Sequence, residues 1–231
     1  MSFSECRGMG REGYKKKDVA AENLYYYILP APKIAGNVSV EQALAGRRSR
    51  RNFRNRALSA EQLSQILWAA YGITQPSSDA SLRGGRRTVP SAGALFPLEI
   101  YVVIGNVTGI KPGVYKYISE KHKIVRIIDR DVRAELAATA MRQNMVRTAP
   151  VTVVHAAAFE RVVNRYGARG RERYVFMEIG HSSQNIYLQA KALGLGTVAV
   201  GAFDDEILAT LLGLPANQKP FYLMPIGYYG N

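Results

Sequence analysis

The chain has 231 residues, is 47% hydrophobic, and carries a formal net charge of +13. Such a length builds one large domain or two small ones around a real core, and needs no disulfide or metal staple. Its one cysteine, Cys6, excludes an internal disulfide, too few thiols remain for a structural zinc site, and the expected compartment is reducing, hence cytoplasmic. The start, residues 1–17, is polar and basic with no apolar h-region, so it does not read as a secretory signal. No run of about 18 apolar residues occurs, so no membrane-spanning helix is expected.

The charge points to an anionic partner: nucleic acid, a phosphorylated cofactor or acidic lipid. It is clustered. Residues 1–56 hold twelve Lys/Arg against five Asp/Glu, a second group is Arg83, Arg86 and Arg87, and a third is Arg161, Arg165, Arg169, Arg171 and Arg173. Any one cluster taken alone reads most simply as a solvated face. A groove for single-stranded nucleic acid would interleave aromatics with the cations. Arg83–Arg87 contains none and Arg161–Arg173 only Tyr166, so no specific nucleic-acid partner is expected.

In chain order, residues 1–23 read as a basic lead-in, and Leu24–Leu29 as an apolar stretch lying across the body, stopped by Pro30 and Pro32. Together residues 1–37 form an N-terminal basic arm before a domain over 38–231. Ser39 with Gln42 has capping-box spacing and opens a short helix to Ala45. Ser59 with Gln62 opens a second, whose Leu63, Ile66, Leu67 and Ala70 share one face and which Gly72 ends. Residues 74–90 are rich in Ser, Gly and Arg and read as a loop. Strands are expected at 98–104, 113–118 and 123–128, the last two as a hairpin around Ser119–His122. A helix follows at 131–141, then a continuous apolar strand at 151–157. A long helix is expected over 171–193, a short strand at 197–200, a helix capped by Asp204, and a last strand at 221–226. No strict βαβ rhythm appears, so the expected class is α+β with a mixed sheet.

Most familiar chemistries are missing. Glu178 and His181 have the spacing of half a di-iron carboxylate site, but no second pair exists, so a polar pair at a helix surface or interface is the simpler reading. His155, in an apolar strand, reads as a hydrogen-bonded core histidine. There is no Gly-x-Ser-x-Gly elbow and no Walker loop. Gly194-Leu195-Gly196 precedes a strand and lacks a third glycine, against a dinucleotide fingerprint.

Three segments remain. Arg47-Arg48-Ser49-Arg50-Arg51 with Phe53 offers guanidinium forks and a hydroxyl after a glycine-ended helix, which suits a phosphate monoester. Val89–Pro97 brackets small residues between prolines, so a planar ring could approach its backbone. Ala199–Asp204 joins a strand end to a helix start, where unpaired amides could donate to a ligand. A surface basic run, an ordinary turn and a plain strand-to-helix junction are the competing readings.

Taken in order, these segments resemble the nitroreductase family. Arg47-Arg48-Ser49-x-Arg51-x-Phe53, Pro90-Ser91-x-Gly93, Ala149-Pro150 opening an apolar strand, Gly194-Leu195-Gly196, Gly201-Ala202-Phe203-Asp204 and Pro225-Ile226-Gly227-Tyr228 carry the match over roughly 38–230. The wording of residues 91–99 is closest to the branch with azoline-to-azole dehydrogenases. The resemblance implies a nitroreductase-like homodimer binding FMN at the subunit interface, with NADH or NADPH as co-substrate. It assigns Arg47, Ser49 and Arg51 to the phosphate and ribityl chain and Arg48 to a backbone contact. Pro90, Ser91, Ala92 and Gly93 would approach the ring from the other subunit, Gly201 and Ala202 would reach N5, and Gln143 the ring edge. No catalytic side chain and no metal are implied. Many relatives wrap their partner with a C-terminal extension; here the arm over 1–37 is expected to take that role. Three functions remain open at this stage: an NAD(P)H-driven reductase of a nitroaromatic, quinone or similar acceptor; a dehydrogenase of a peptide or other specialised substrate; or a non-enzymatic flavin or nucleic-acid binding module.

Overall fold

The computed structural model describes residues 25–230. The expected lead-in over 1–23, with Cys6, lies outside the described residues. The first element, β1 (Tyr26–Ile28), is an edge strand, and Leu29 behind it is buried. The tyrosine run thus packs on the body by adding a strand, within the stretch assigned to the arm. Helices α1 (Val40–Gly46) and α2 (Ala60–Tyr71) both open on complete capping boxes, Ser39 with Gln42 and Ser59 with Gln62. Such caps each contribute about 1 kcal/mol. The stripe Leu63, Ile66, Leu67 and Ala70 is fully buried.

Where a plain loop was expected, β2 (Ile73–Pro76) and β3 (Gly85–Arg87) form a two-stranded hairpin. Thr74, Gln75, Pro76 and Arg86 are exposed, so no apolar alternation announces these strands; backbone pairing alone makes them. Gly85 is required there: its φ is +142°, and a Cβ would sit 2.2 Å from the Gln75 carbonyl oxygen.

The main sheet follows the expected strands closely: β4 (Leu98–Ile104), β5 (Gly113–Ile118) and β6 (Lys123–Ile128). Then come α3 (Arg133–Thr139), α4 (Asn144–Thr148) and β7 (Val151–Ala158). The long helix differs from expectation. α5 (Glu160–Arg169) runs into a π turn at Gly170–Tyr174, and α6 (Val175–Ala192) starts only after it. Gly167, with φ +57°, breaks the regular helix before that turn. The chain ends with β8 (Gly196–Thr197), α7 (Asp205–Leu211), capped by Asp204, and β9 (Gln218–Gly227).

Seven strands make one sheet in the order β1-β6-β5-β4-β7-β9-β8. Every named strand pair is antiparallel. Parallel pairing is confined to isolated bridges such as Ser49–Thr197, so the mixed character expected of the sheet reduces to these bridges. Alternation splits the core in two. Leu98, Ile100, Val102 and Ile104 of β4 join α2 and α6, while Tyr101 and Val103 join α3 and α7 on the other face. β7 is covered on both faces, which is why its run Val151–Ala158 is buried throughout.

Candidate functional site

The Arg47–Arg51 segment leaves α1 and lies beside β8. Ser49 bridges Thr197, and the Arg50 amide donates to the Thr197 carbonyl at 2.9 Å. Extended backbone sends alternate side chains to opposite sides. Arg47 and Ser49 both reach Tyr187 on α6: the Arg47 guanidinium lies 5.2 Å from its ring centroid, and the Ser49 hydroxyl is 3.1 Å from its phenol oxygen. Arg50 instead stacks on Tyr229 at 4.5 Å. The Arg48 side chain turns back onto the Ala45 and Arg47 carbonyls at 3.0 and 2.8 Å, closing the C-terminus of α1. Arg51 is exposed. Among the described residues none of these four arginines has a carboxylate within ion-pair distance.

Tyr187 also fixes the third segment. Its oxygen accepts from the Ala199 amide at 2.9 Å, just before Gly201–Ala202. β8 stops at Thr197, short of the strand expected over 197–200, and Val200 meets Leu223 only as an isolated bridge. Gly201 and Ala202 are exposed, and their amides have no hydrogen-bond partner among the described residues. Gln143 donates to the Ala202 carbonyl at 3.3 Å. The structure thus gathers Arg47, Ser49, Gln143, Gly201 and Ala202 along one strip. Tyr187 is the organising residue that sequence reasoning missed, since no motif singles it out.

Pro90–Gly93 lies elsewhere. Ser91 interacts with Glu178, nine residues before Tyr187 on the same helix, or about 13 Å at the α-helical rise. The loop is tightly turned: Gly93, Ala94 and Phe96 have φ of +62°, +55° and +46°. A Cβ on Gly93 would lie 2.6 Å from the Tyr166 hydroxyl, so the glycine admits both the turn and α5. The Ser91 hydroxyl accepts from the Phe96 amide at 2.9 Å, closing the loop. Within one chain, then, this loop does not join the strip.

Beneath the loop sits an acid that the sequence reading placed on a helix surface or interface. Glu178 is 2% exposed and accepts from the Tyr71 hydroxyl at 2.5 Å. Burial raises its carboxyl to about 7, against the pull of Ser91, Tyr71, Arg87 and Arg161. His181, one turn on, is exposed, so the two do not form a pair. His155 is the buried, bonded histidine expected. Ser182 donates to the Ala70 carbonyl at 2.7 Å, so His155 Nε2 donates to Ser182 at 2.8 Å. Its Nδ1 has no partner, and burial pulls its pKa down to about 3.

The nitroreductase family model matches residues 44–228. A candidate nitroreductase of Methanocaldococcus jannaschii, MJ1384, is 47% identical over 190 residues, 82% of this chain and 91% of that protein. The crystal structure of a candidate nitroreductase from Ralstonia eutropha superposes with a TM-score of 0.75 at 27% identity, covering 89% of this chain and 90% of that one. The trifolitoxin-processing protein TfxB of Rhizobium leguminosarum is 31% identical over 133 residues, 56% of this chain and 36% of that protein. The chain belongs to the nitroreductase family, which defines it in general terms as an FMN-dependent oxidoreductase.

The residues present fit that cofactor. Among the described residues, guanidinium groups without carboxylates, a serine hydroxyl and two unpaired amides form one strip of donors, as a phosphate monoester and a flavin edge require. No helix of the described residues is long and apolar enough to cross a membrane.

Proposed function

We propose that the chain transfers hydride from NADH or NADPH to a nitroaromatic, quinone or similar small acceptor, in the cytoplasm and as a homodimer. The carrying observation is the donor strip along Arg47, Ser49, Gly201 and Ala202, which no carboxylate among the described residues neutralises. FMN, when bound, supplies the two-electron hydride chemistry. Arg47 and Arg51 neutralise the phosphate, and Ser49, oriented by Tyr187, donates to it or to the ribityl chain. Arg48 contributes its backbone. The Gly201 and Ala202 amides donate to the ring at N5, and Gln143, tied to Ala202, orients at the ring edge. Pro90, Ser91, Ala92 and Gly93 cover the ring from the partner subunit and keep water away. Their displacement along α6 from the strip supports this trans arrangement. No side chain takes a proton in the hydride step.

The match to TfxB favours a second reading, a dehydrogenase acting on a peptide or other specialised substrate. Purified full-length protein separates the two. The first reading expects yellow protein and steady turnover with NADH or NADPH plus a nitroaromatic. Flavin-loaded protein with no such turnover supports the second, and colourless protein that binds no added FMN contradicts both. Light scattering that gave a flavin-loaded monomer near 25.5 kDa would contradict the dimer.

A further inference from the structure

Two basic stretches far apart in the sequence meet in the fold. Arg83, just before β3, and Arg87, at its end, converge with Arg161 in the first turn of α5 and Lys116 on β5. With Glu99 and Glu120 they line one cavity of about 220 Å³. Four cations face two carboxylates, so the lining holds two more positive than negative groups. Glu99 is shared by Lys116 at 2.9 Å and by Arg161, and Glu120 takes Arg87 at 3.1 Å. Arg83 has neither an ion pair nor a side-chain hydrogen bond among the described residues. It stands exposed at the mouth. Partial burial, then Arg161 nearby, pull its pKa down, while Glu99 and Glu120 pull it up.

We propose that this cavity binds a small dianionic oxyanion, bearing carboxylate or phosphate groups, at a site separate from the Arg47–Arg51 strip. The chemistry follows from the lining. Guanidinium forks match planar carboxylates and phosphate oxygens, and a dianion balances the surplus. The volume is below the roughly 300–1,000 Å³ of pockets for drug-sized ligands, yet several times the ~30 Å³ share of one water. The wall also reaches the turned loop: Phe96 lines the cavity, and Arg161 donates to the Phe96 carbonyl at 2.9 Å. An occupant that draws on Arg161 therefore acts on the end of the same loop that holds Pro90–Gly93.

The test uses full-length protein saturated with FMN. Inorganic phosphate and malonate are titrated separately by calorimetry and by melting temperature, with chloride at matched ionic strength as control. The proposal expects saturable binding of at least one dianion, weakened about tenfold or more in R83A, as for lost charge-assisted bonds. Which dianion binds tells phosphate from carboxylate chemistry. R51A repeats the titration without an Arg51 contact: binding lost in R83A but kept in R51A assigns the anion to the cavity. Binding lost in R51A and kept in R83A overturns the proposal, as does the lack of any effect beyond chloride.

Discussion

Along residues 47–51 the guanidinium groups lie on aromatic rings or at the surface and meet no carboxylate among the described residues, whereas Arg87 is tied down at both terminal nitrogens. Its side chain is 2% exposed, stacks on Tyr71 and Phe96 at 4.7 and 4.9 Å, pairs with Glu120, and donates to the Tyr71 and Arg83 carbonyls and to Ser119. The same residue type is framework at Arg87 and, at Arg47, Arg50 and Arg51, a donor with no side-chain hydrogen bond among the described residues; Arg48 alone of the four spends its guanidinium on backbone carbonyls. What separates them is the presence of acceptors. Arg87, on β3, is met by the end of α2, the turn before β3 and the turn before β6, each of which offers oxygen; the 47–51 strip runs along β8, whose backbone is already paired.

Substitution sharpens that contrast. Arg87→Ala removes a buried paired charge and strands two carbonyls, so the unfolding free energy should fall by about 3 kcal/mol. Chemical denaturation measures this, and a loss under about 1 kcal/mol would mean that Arg87 is not framework.

Glu178 gives the next effect. Its carboxyl is raised in the folded chain to about 7 from an ordinary 4.5, so the native state holds a proton that the unfolded state has released. Stability from this group is present below about 4.5 and is lost as pH rises to about 7, on the order of 3 kcal/mol in all. His155 acts in the opposite sense. Its folded pKa is depressed to about 3, so its share is full above about 6.5 and is lost as pH falls. Between about pH 4.5 and 6.5 the two oppose each other, so Glu178→Gln should leave a stability that rises with pH there more steeply than the parent's. Denaturation midpoints between pH 4.5 and 7 that follow the same course in the variant as in the parent would sink the assignment.

The smallest effect belongs to the strip. In the absence of FMN, Arg47→Ala with Arg51→Ala should change the unfolding free energy by no more than about 0.5 kcal/mol, as for surface positions. A loss matching that of Arg87→Ala would erase the contrast.

Much of this was legible beforehand, and the reasons differ by element. The capping boxes at Ser39 and Ser59 and the strands at 98–104, 113–118 and 123–128 stand out because local pattern and tertiary burial agree. The hairpin of β2 and β3 did not, since Thr74, Gln75 and Arg86 face solvent and no apolar period marks them. The break before α6 is hidden because residues 167–173 hold no apolar side chain but Ala168, so no period marks where one helix stops and the next begins. At the site, Arg47, Ser49, Gly201 and Ala202 were named from an ordered set of motifs, and the fold brings them along one strip. Tyr187 was not, because its role depends on Ser49 and Ala199 arriving from distant parts of the chain. The spacing of Glu178 and His181 points to a polar pair at a helix surface or interface because it shows only that the two share a face, while Tyr71 and Ser91 decide that Glu178 is buried.

The central claim is that the unpaired donors of the strip hold FMN. Fluorescence titration of FMN into apo protein, parent against the Arg47→Ala and Arg51→Ala double variant, tests it most directly. Each lost charge-assisted contact is worth about 1.5–3 kcal/mol, so the account predicts affinity at least about a hundredfold weaker in a variant that still folds. FMN bound by the double variant as tightly as by the parent would contradict it.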